Sequence, residues 1–202
     1  MKAILAFLSL WLASMLSFGQ CIVLDQVSVN PPPIGGLYQP GDVVTFTYTV
    51  SAYQGLSVNW MHGIAVDASP GWSSVSPVGT PTNNTGSGVW LWVTTVTSSA
   101  SGLTVNLPGW FYDSSSGGPL DGNPGNNWGD GLNGPWTFQF QATVGACPPG
   151  QNGEDLTIVI ENYADGETGS WINYDCQGDQ NESFQATLEC CPAVITGPIL
   201  HE

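Results

Sequence analysis

The sequence predicts an all-β chain, an antiparallel β-sandwich of the immunoglobulin-like or jelly-roll type. Apolar and polar residues alternate with a period of two along most of it, which is typical of strands with one buried and one solvated face. Turn-forming pairs that contain Gly, Pro, Asn or Asp separate these runs. No helical apolar period follows the first segment, so we expect short strands joined by turns.

The first segment has the layout of a secretory signal. Lys2 precedes an apolar run of about fifteen residues that ends near the small residue Gly19. We predict cleavage after Gly19, which makes 1–19 the signal peptide. The alternative is a lipoprotein acylated on Cys21, but Gln20 then stands where a small residue is normally required. Either route predicts a secreted or cell-surface protein, and the first predicts no membrane insertion after cleavage.

The charge balance excludes several classes of partner. The chain has sixteen Asp and Glu, and Lys2 is its single Lys or Arg. Nucleic acids and anionic membranes bind through basic side chains, so we expect neither as a partner. Protein at a cell surface or polysaccharide remains as the expected ligand class.

Eight segments have the composition and alternation of strands. Val44 to Val50 shows the pattern clearly, with Thr at each intervening position. The predicted strands are, in chain order, 22–29, 44–50, 58–66, 89–96, 103–107, 136–144, 156–160 and 184–188.

These strands predict one module over residues 20–192. The part from Cys147 to Cys191 has too few strands for a core of its own, so we assign it to the same sandwich. Residues 193–202 are predicted to be a linker or the start of a following module.

Five cysteines follow the predicted cleavage site, and export favours disulfides. We predict that Cys147 pairs with Cys176, because both follow strands and lie beside turns. Cys21 is predicted to pair with Cys190 or Cys191. The odd number leaves one thiol over.

Catalytic patterns are weak in this sequence. His201 lies in the predicted tail, and we interpret His62 as a packed strand residue, not as a base. No GxSxG elbow is present. A glycosidase needs two carboxylates at a fixed separation, whereas the acidic residues here fit a solvated edge better. Those acidic residues are Glu154, Asp155, Glu161, Asp165 and Glu167. We therefore predict that the chain is not an enzyme.

A long irregular segment over 111–135 is the candidate site. Hard oxygen ligands in a Gly-rich loop suit calcium, although their spacing does not match an EF-hand. Asp and Asn also form tight turns without any ion, so the cofactor prediction is limited to a possible Ca²⁺. The candidate ligands are Asp113, Asp121, Asn123, Asn126, Asn127 and Asp130.

Tryptophans are the second signal in this segment. Trp60, Trp90 and Trp136 lie in predicted strands, and we assign them to the core. Trp110 and Trp128 flank or occupy the loop. Rings exposed there would bind a sugar or a protein partner, while buried rings would hold the loop in place.

Several motifs together resemble the N-terminal module of large Bacteroidetes surface proteins. They are GDVVTFTYTV, NWMHGIAV, PGWFY, DGNPGNNWGDG, PWTFQF, DGETGSW and ECC. In that family the module precedes PKD-like or other immunoglobulin-like repeats, and the proteins often end in a gliding-motility-associated domain for type IX secretion. Cysteines that the family often has after GDG and within PWTF-x-F are here Leu132 and Gln139. The resemblance implies that this pair is one bridge elsewhere, and that loop 111–135 is less tethered here.

The residues and the resemblance together predict a non-catalytic extracellular module of an adhesin-like protein. The alternative is a calcium-dependent carbohydrate-binding module of a polysaccharide-utilising system. A small glycosidase is a third and weaker hypothesis.

Overall fold

A computed structural model describes most of the chain after the predicted signal peptide. The described residues are 20–56, 59–81, 88–132, 134–149, 153–166, 169, 171, 176, 179 and 181–190. Outside them lie the predicted signal peptide 1–19, the predicted linker 193–202, Glu167, Cys191 and His201. Within the described ranges, no helix has the length and apolar character that a membrane crossing needs.

Short strands make up most of the described chain. In chain order they are β1 (Ile22–Asn30), β2 (Leu37–Tyr38), β3 (Val43–Tyr53), β4 (Met61–Ala68), β5 (Trp72–Pro77), β6 (Val89–Val93), β7 (Val96–Thr97), β8 (Thr104–Val105), β9 (Gly109–Asp113), β10 (Trp136–Val144), β11 (Gly153–Ala164) and β12 (Glu182–Glu189). A single 3-10 turn over Pro124–Asn126 interrupts the loop between β9 and β10.

Two sheets carry these strands. One is four-stranded in the order β1-β3-β10-β5, and the other is six-stranded in the order β2-β12-β11-β4-β9-β6. Neighbours run antiparallel, apart from the short parallel pair of β12 with β2. A separate ribbon pairs β7 with β8. The predicted antiparallel β-sandwich is therefore confirmed.

The core lies between the two sheets, where the alternating runs of both meet. Phe46 of β3 stacks on Phe140 of β10 with ring centroids 5.0 Å apart. Alternate residues of β3, β10 and β11 are fully buried, because period-two alternation places every second side chain on the inner face. At roughly 25 cal/mol per Å² of buried apolar area, these large side chains dominate the stabilisation of the fold.

A second buried cluster covers the outer face of the six-stranded sheet. Phe111 lies between Trp110 and Tyr112, which belong to the main core, so its ring points to the opposite face. Val96 and Val105 of the β7–β8 ribbon pack in the same cluster as Phe111. The six-stranded sheet is thus covered on both sides in this region, and the long loop lies against that covering.

A β-bulge places His62 in this outer cluster. Gly63 pairs with Tyr163 and Met61 with Ala164, so β4 has one extra residue between them. The His62 ring is fully buried, with its centroid 5.2 Å from that of Trp171 and 6.1 Å from that of Phe111. The prediction of a packed histidine is confirmed, although the bulge turns it away from the core face of Ile64.

Several predicted boundaries were wrong. Segment 103–107 forms only the two-residue strand β8. Within the predicted strand 58–66, the described residues Asn59 and Trp60 precede β4, which starts at Met61. Strands β5 and β9 were missed, because Ser residues weaken the alternation in β5 and because β9, buried on both faces, has none. Residues 111–113 of the predicted loop belong to β9. Trp90 and Trp136 are buried as predicted, but Trp60 is only half-buried.

The predicted cysteine pairing was also wrong. Cys21 bonds to Cys176 with their Cα atoms 5.1 Å apart, and Cys147 bonds to Cys190 with theirs 5.6 Å apart. The length of β12 separates Cys176 from Cys190, so they lie at opposite ends of the sandwich. Cys147 follows β10 at the end where β12 finishes, and it therefore meets Cys190.

Candidate ligand-binding face

The long loop between β9 and β10, residues 114–135, folds back onto the sandwich. The backbone N–H of Asp130 donates to the carbonyl of Met61 at 2.8 Å, beside the start of β4. The N–H of Ser99, next to the ribbon, donates to the carbonyl of Gly125 at 2.7 Å. Backbone hydrogen bonds thus hold a loop that the resemblance implied to be less tethered.

Asp165 joins this loop to the end of β4. Its Oδ1 accepts from the backbone N–H of Trp60 at 2.9 Å, and its Oδ2 accepts from that of Gly129 at 3.1 Å. The side chain is 1% exposed. The sequence interpretation of Asp165 as part of a solvated acidic edge was therefore wrong, because the turn after β11 buries it beneath the loop.

Asp130 closes the other end of the loop. Its Oδ2 accepts from the indole Nε1 of Trp136 at 2.9 Å, and its Oδ1 accepts from the N–H of Leu132 at 3.3 Å. Burial raises the pKa of this carboxyl, while the two hydrogen bonds oppose that rise. Asp130 is therefore a structural acceptor in a water-poor site.

Trp128 is the exposed aromatic side chain of the loop. Trp128 is 39% exposed, and its backbone N–H donates to the carbonyl of Ser116 at 2.9 Å. The Trp60 ring packs against it edge to face, with centroids 6.0 Å apart and an interplanar angle of 66°. Trp110, the other predicted ligand-binding aromatic, is buried in the core and donates its Nε1–H to the carbonyl of Gln139.

Two clefts adjoin this pair of rings. The larger has a volume of about 300 Å³ and is lined by Trp60, Tyr112, Ser114, Ser116, Asp130 and Leu132, among others. The smaller, about 220 Å³, is lined by Ser99, Gly117, Asn126, Asn127, Trp128 and Gly169, among others. Ser116 and Gly117 are consecutive residues that line different clefts, as are Trp128 and Gly129. The chain segments around Trp128 therefore separate the two.

Gly117 sets the position of Trp128. A Cβ at Gly117 would lie 2.4 Å from Cδ1 of the Trp128 ring, and the residue has φ +83°. Only glycine combines that left-handed backbone with so close a contact. Sequence reasoning missed Gly117 and Ser114 as site residues, because the spacing of SSSGG specifies no contact. It also missed Tyr112 and assigned Trp60 to the core.

The three acidic residues of the predicted calcium set do not form one cluster. Among the described residues, the one group of three or more His, Cys, Asp or Glu with ligand atoms within 4.8 Å is Cys21, Cys176 and Asp179, and its cysteines form a disulfide. Asp130 accepts the hydrogen bond from the indole of Trp136. Asp121 is exposed and accepts from the backbone N–H of Asn123 at 3.0 Å. Asn123 caps the 3-10 turn through the N–H of Gly125. Asp113, the last residue of β9, and Asn127 are buried, whereas Asn126 is half-buried.

The remaining predicted carboxylates lie away from this face. Asp155 is exposed on β11, and Glu154 and Glu161 are half-buried on the same strand. The hydroxyl of Tyr163 donates to Glu161 at 2.6 Å. None of the three lines either cleft.

The chain matches no known protein-family profile, and no curated protein matches its sequence. Among solved structures it is similar to the N-terminal domain of a Streptococcus gordonii adhesin, with a TM-score of 0.40 and 10% identity over 86% of this chain. This chain spans about a third of that structure's length, namely 34%.

Two other solved structures are similar in the same way. A cohesin module from a Clostridium perfringens family 33 glycoside hydrolase has a TM-score of 0.38 and 11% identity, covering 84% of this chain and 98% of that one. The collagen-binding subdomain of an Enterococcus faecalis surface protein has a TM-score of 0.26 and 8% identity, covering 76% and 92%. All three TM-scores are below 0.5, and the fold of this chain is established by its own strand topology.

Proposed function

We propose that this chain is a non-catalytic extracellular binding module of an adhesin-like secreted or surface protein. Its ligand-binding face is the pair of clefts around Trp128 on loop 114–135. The observation that carries the proposal is the exposure of Trp128, 39%, on a loop that is otherwise fixed by buried hydrogen bonds.

Trp128 differs from the other described tryptophans. Trp60 and Trp92 are half-buried, and Trp72, Trp90, Trp110, Trp136 and Trp171 are each at most 6% exposed. An indole held in place at the surface loses little conformational entropy on binding and buries a large apolar area, which is why Trp is enriched at interaction hot spots. The fixed loop supplies the preorganisation that such a contact needs.

The arrangement of carboxylates supports a non-catalytic role. Asp130 is the one carboxylate among the described lining residues of the larger cleft. Both of its oxygens accept hydrogen bonds from the protein. Hydrolysis of a glycosidic bond needs a second carboxylate across the substrate.

Carbohydrate is the second candidate ligand, and the two rings favour a particular kind. Sugar rings stack on aromatic faces, and Ser and Asn side chains beside Trp128 offer hydrogen bonds to hydroxyl groups. An angle of 66° between Trp60 and Trp128 gives no flat row of rings. The face therefore suits a single sugar unit or a chain end better than a flat polysaccharide surface.

A paired binding assay tests the proposal. The mature chain, Trp128→Ala and Leu120→Ala are applied to an array of neutral glycans and to immobilised extracellular proteins. Leu120 is the matched control, because it is 50% exposed on the same loop and lines neither cleft. We expect saturable binding that falls at least tenfold in Trp128→Ala and less than twofold in Leu120→Ala.

The two ligand classes give distinct results. Binding to protein but not to glycans supports the adhesin-like module, and the reverse supports the carbohydrate-binding module. Equal binding by wild type and Trp128→Ala would overturn the assignment of this face. Release of sugar from an oligosaccharide by the wild-type chain would overturn its non-catalytic role.

A further inference from the structure

Three buried side-chain oxygens, one at the end of β9 and two in the loop that follows, lack a hydrogen-bond partner. Among the described residues, Oδ1 of Asp113, Oδ1 of Asn126 and Oδ1 of Asn127 accept no hydrogen bond. Asp113 and Asn127 are each 1% exposed. Leaving a buried acceptor unsatisfied costs about 1–3 kcal/mol, and more when the acceptor is charged.

The orientation of each amide is fixed by its own nitrogen. Nδ2 of Asn127 donates to the carbonyls of Ser114 at 2.7 Å and Pro119 at 3.1 Å. Nδ2 of Asn126 lies 3.3 and 3.5 Å from the two carboxylate oxygens of Asp121. Rotating either amide by 180° would place an oxygen against an oxygen, so both Oδ1 atoms are true acceptors.

Hydrogen bonds connect the chain segments that carry these three oxygens. Nδ2 of Asn127 donates a hydrogen bond to the carbonyl of Ser114, the residue after Asp113. Nδ2 of Asn126 donates a hydrogen bond to the carboxylate of Asp121. The next residue, Gly122, donates its backbone N–H to Oδ2 of Asp113 at 2.6 Å. Asp113, Asn126 and Asn127 therefore belong to one hydrogen-bonded part of the chain.

The chain has no basic side chain to neutralise Asp113. Lys2 is its one Lys or Arg, and it belongs to the predicted signal peptide. His62 donates its Nε2–H to the carbonyl of Pro124 at 3.0 Å, and burial lowers its pKa to about 4, so it is neutral at pH 7. A buried carboxylate needs a counter-ion or a proton. One proton would satisfy at most one of the two unpartnered amide oxygens, whereas a cation can be bound by all three oxygens.

We infer that loop 113–127 binds a hard divalent cation, Ca²⁺, through Oδ1 of Asp113, Asn126 and Asn127. Ca²⁺ takes six to eight oxygen ligands, including carboxylate, amide and backbone carbonyl oxygens and water. Asn127 directly precedes Trp128 in the chain. The cation thus fixes the residue next to the exposed indole, and this site goes beyond the proposed binding face.

Terbium luminescence tests the site, because Tb³⁺ replaces Ca²⁺ at oxygen sites and is excited through nearby tryptophan. The mature chain is stripped with chelator, titrated with Tb³⁺ and then competed with Ca²⁺. Asp113→Asn keeps an acceptor for Gly122 and removes the charge. Asn126→Ala removes one ligand and its hydrogen bond to the exposed Asp121. Asp67→Asn neutralises an exposed carboxylate on β4 and is the matched control.

We expect one saturable site whose affinity falls at least tenfold in Asp113→Asn and several-fold in Asn126→Ala. Asp67→Asn should change it less than twofold, and Ca²⁺ should raise the melting temperature of the wild type above that in chelator. Far-UV circular dichroism confirms that each variant folds. No saturable binding by the wild type would overturn the site. Equal affinities in all four proteins would also overturn it, since they would indicate diffuse attraction to an acidic surface.

Discussion

Oδ2 of Asp130 lies 2.9 Å from the indole Nε1 of Trp136, the fully buried first residue of β10. This bond ties the last turn of the ligand-binding loop to the core, because Trp136 also packs edge to face on Tyr53 at 5.4 Å. The loop and the hydrophobic core therefore share one anchor, and disturbing it should affect both.

Two substitutions at Asp130 separate its hydrogen bond from its charge. Asp130→Asn keeps one oxygen for Trp136, whereas Asp130→Ala leaves the indole N–H unsatisfied. We expect Asp130→Ala to lower the free energy of unfolding by about 2–3 kcal/mol, and Asn to change it by about 1 kcal/mol or less. Urea denaturation followed by tryptophan fluorescence measures both. Equal losses in the two variants would contradict the hydrogen-bond assignment.

The pH dependence of the same pair has a definite sign. Because burial raises the pKa of Asp130, the folded state binds its proton more tightly than the unfolded state. The contribution of Asp130 to unfolding free energy therefore falls as pH rises from the unfolded pKa through the raised folded value. Asp130→Asn should lack this slope, which urea midpoints from pH 3 to 7 would reveal as a difference from wild type.

Gly117 and Gly122 allow a test of how Trp128 is positioned. Both have a left-handed φ, +83° and +87°, but a Cβ would meet the Trp128 ring only at Gly117. Alanine at either position costs roughly 1 kcal/mol of backbone strain. We expect Gly117→Ala alone to shift Trp128, which collisional quenching of tryptophan fluorescence by acrylamide measures. The same quenching change in Gly122→Ala would attribute it to backbone strain instead.

His62 should make the fold sensitive to mild acid. Its pKa is lowered to about 4 by complete burial, against an ordinary value of about 6.5 in the unfolded chain. The unfolded state then binds more protons, so stability is lost as pH falls from about 6.5 to 4, by about 3 kcal/mol. His62→Gln keeps a donor for Pro124 and does not titrate.

The difference between wild type and His62→Gln isolates this effect, since raised carboxyl pKa values act in the opposite direction in both proteins. As pH is lowered from 7 to 4, we expect the unfolding free energy of the wild type to fall relative to that of His62→Gln. A constant difference across that range would show that His62 does not titrate on unfolding.

The two disulfides should stabilise unequally. Cys21 and Cys176 are 155 residues apart, and Cys147 and Cys190 are 43 apart. Chain-entropy estimates give about 5 and about 4 kcal/mol, respectively. Paired Cys→Ser variants measured by denaturation should therefore lose more from the first bridge. Non-reducing peptide mapping checks the pairing, and a Cys147–Cys176 peptide would refute it.

The sequence alone determined the fold class and most of the core. Alternation over Val44–Val50 and Trp136–Val144 fixes which side chains are buried, because a strand has only two faces. Alternation predicted that His62 is packed, but on the face of Ile64, whereas the β-bulge buries it in the outer cluster.

Only the tertiary structure decided the contacts of the site. Asp165 meets Trp60 across 105 residues, and Cys147 meets Cys190 instead of Cys176, because these pairs depend on which strand ends share one end of the sandwich. Periodicity gives the face of each side chain but not the order of strands in a sheet. Trp110 is buried in the core and Trp128 is exposed at the surface. This difference depends on how the two sheets pack, which a local sequence pattern cannot predict.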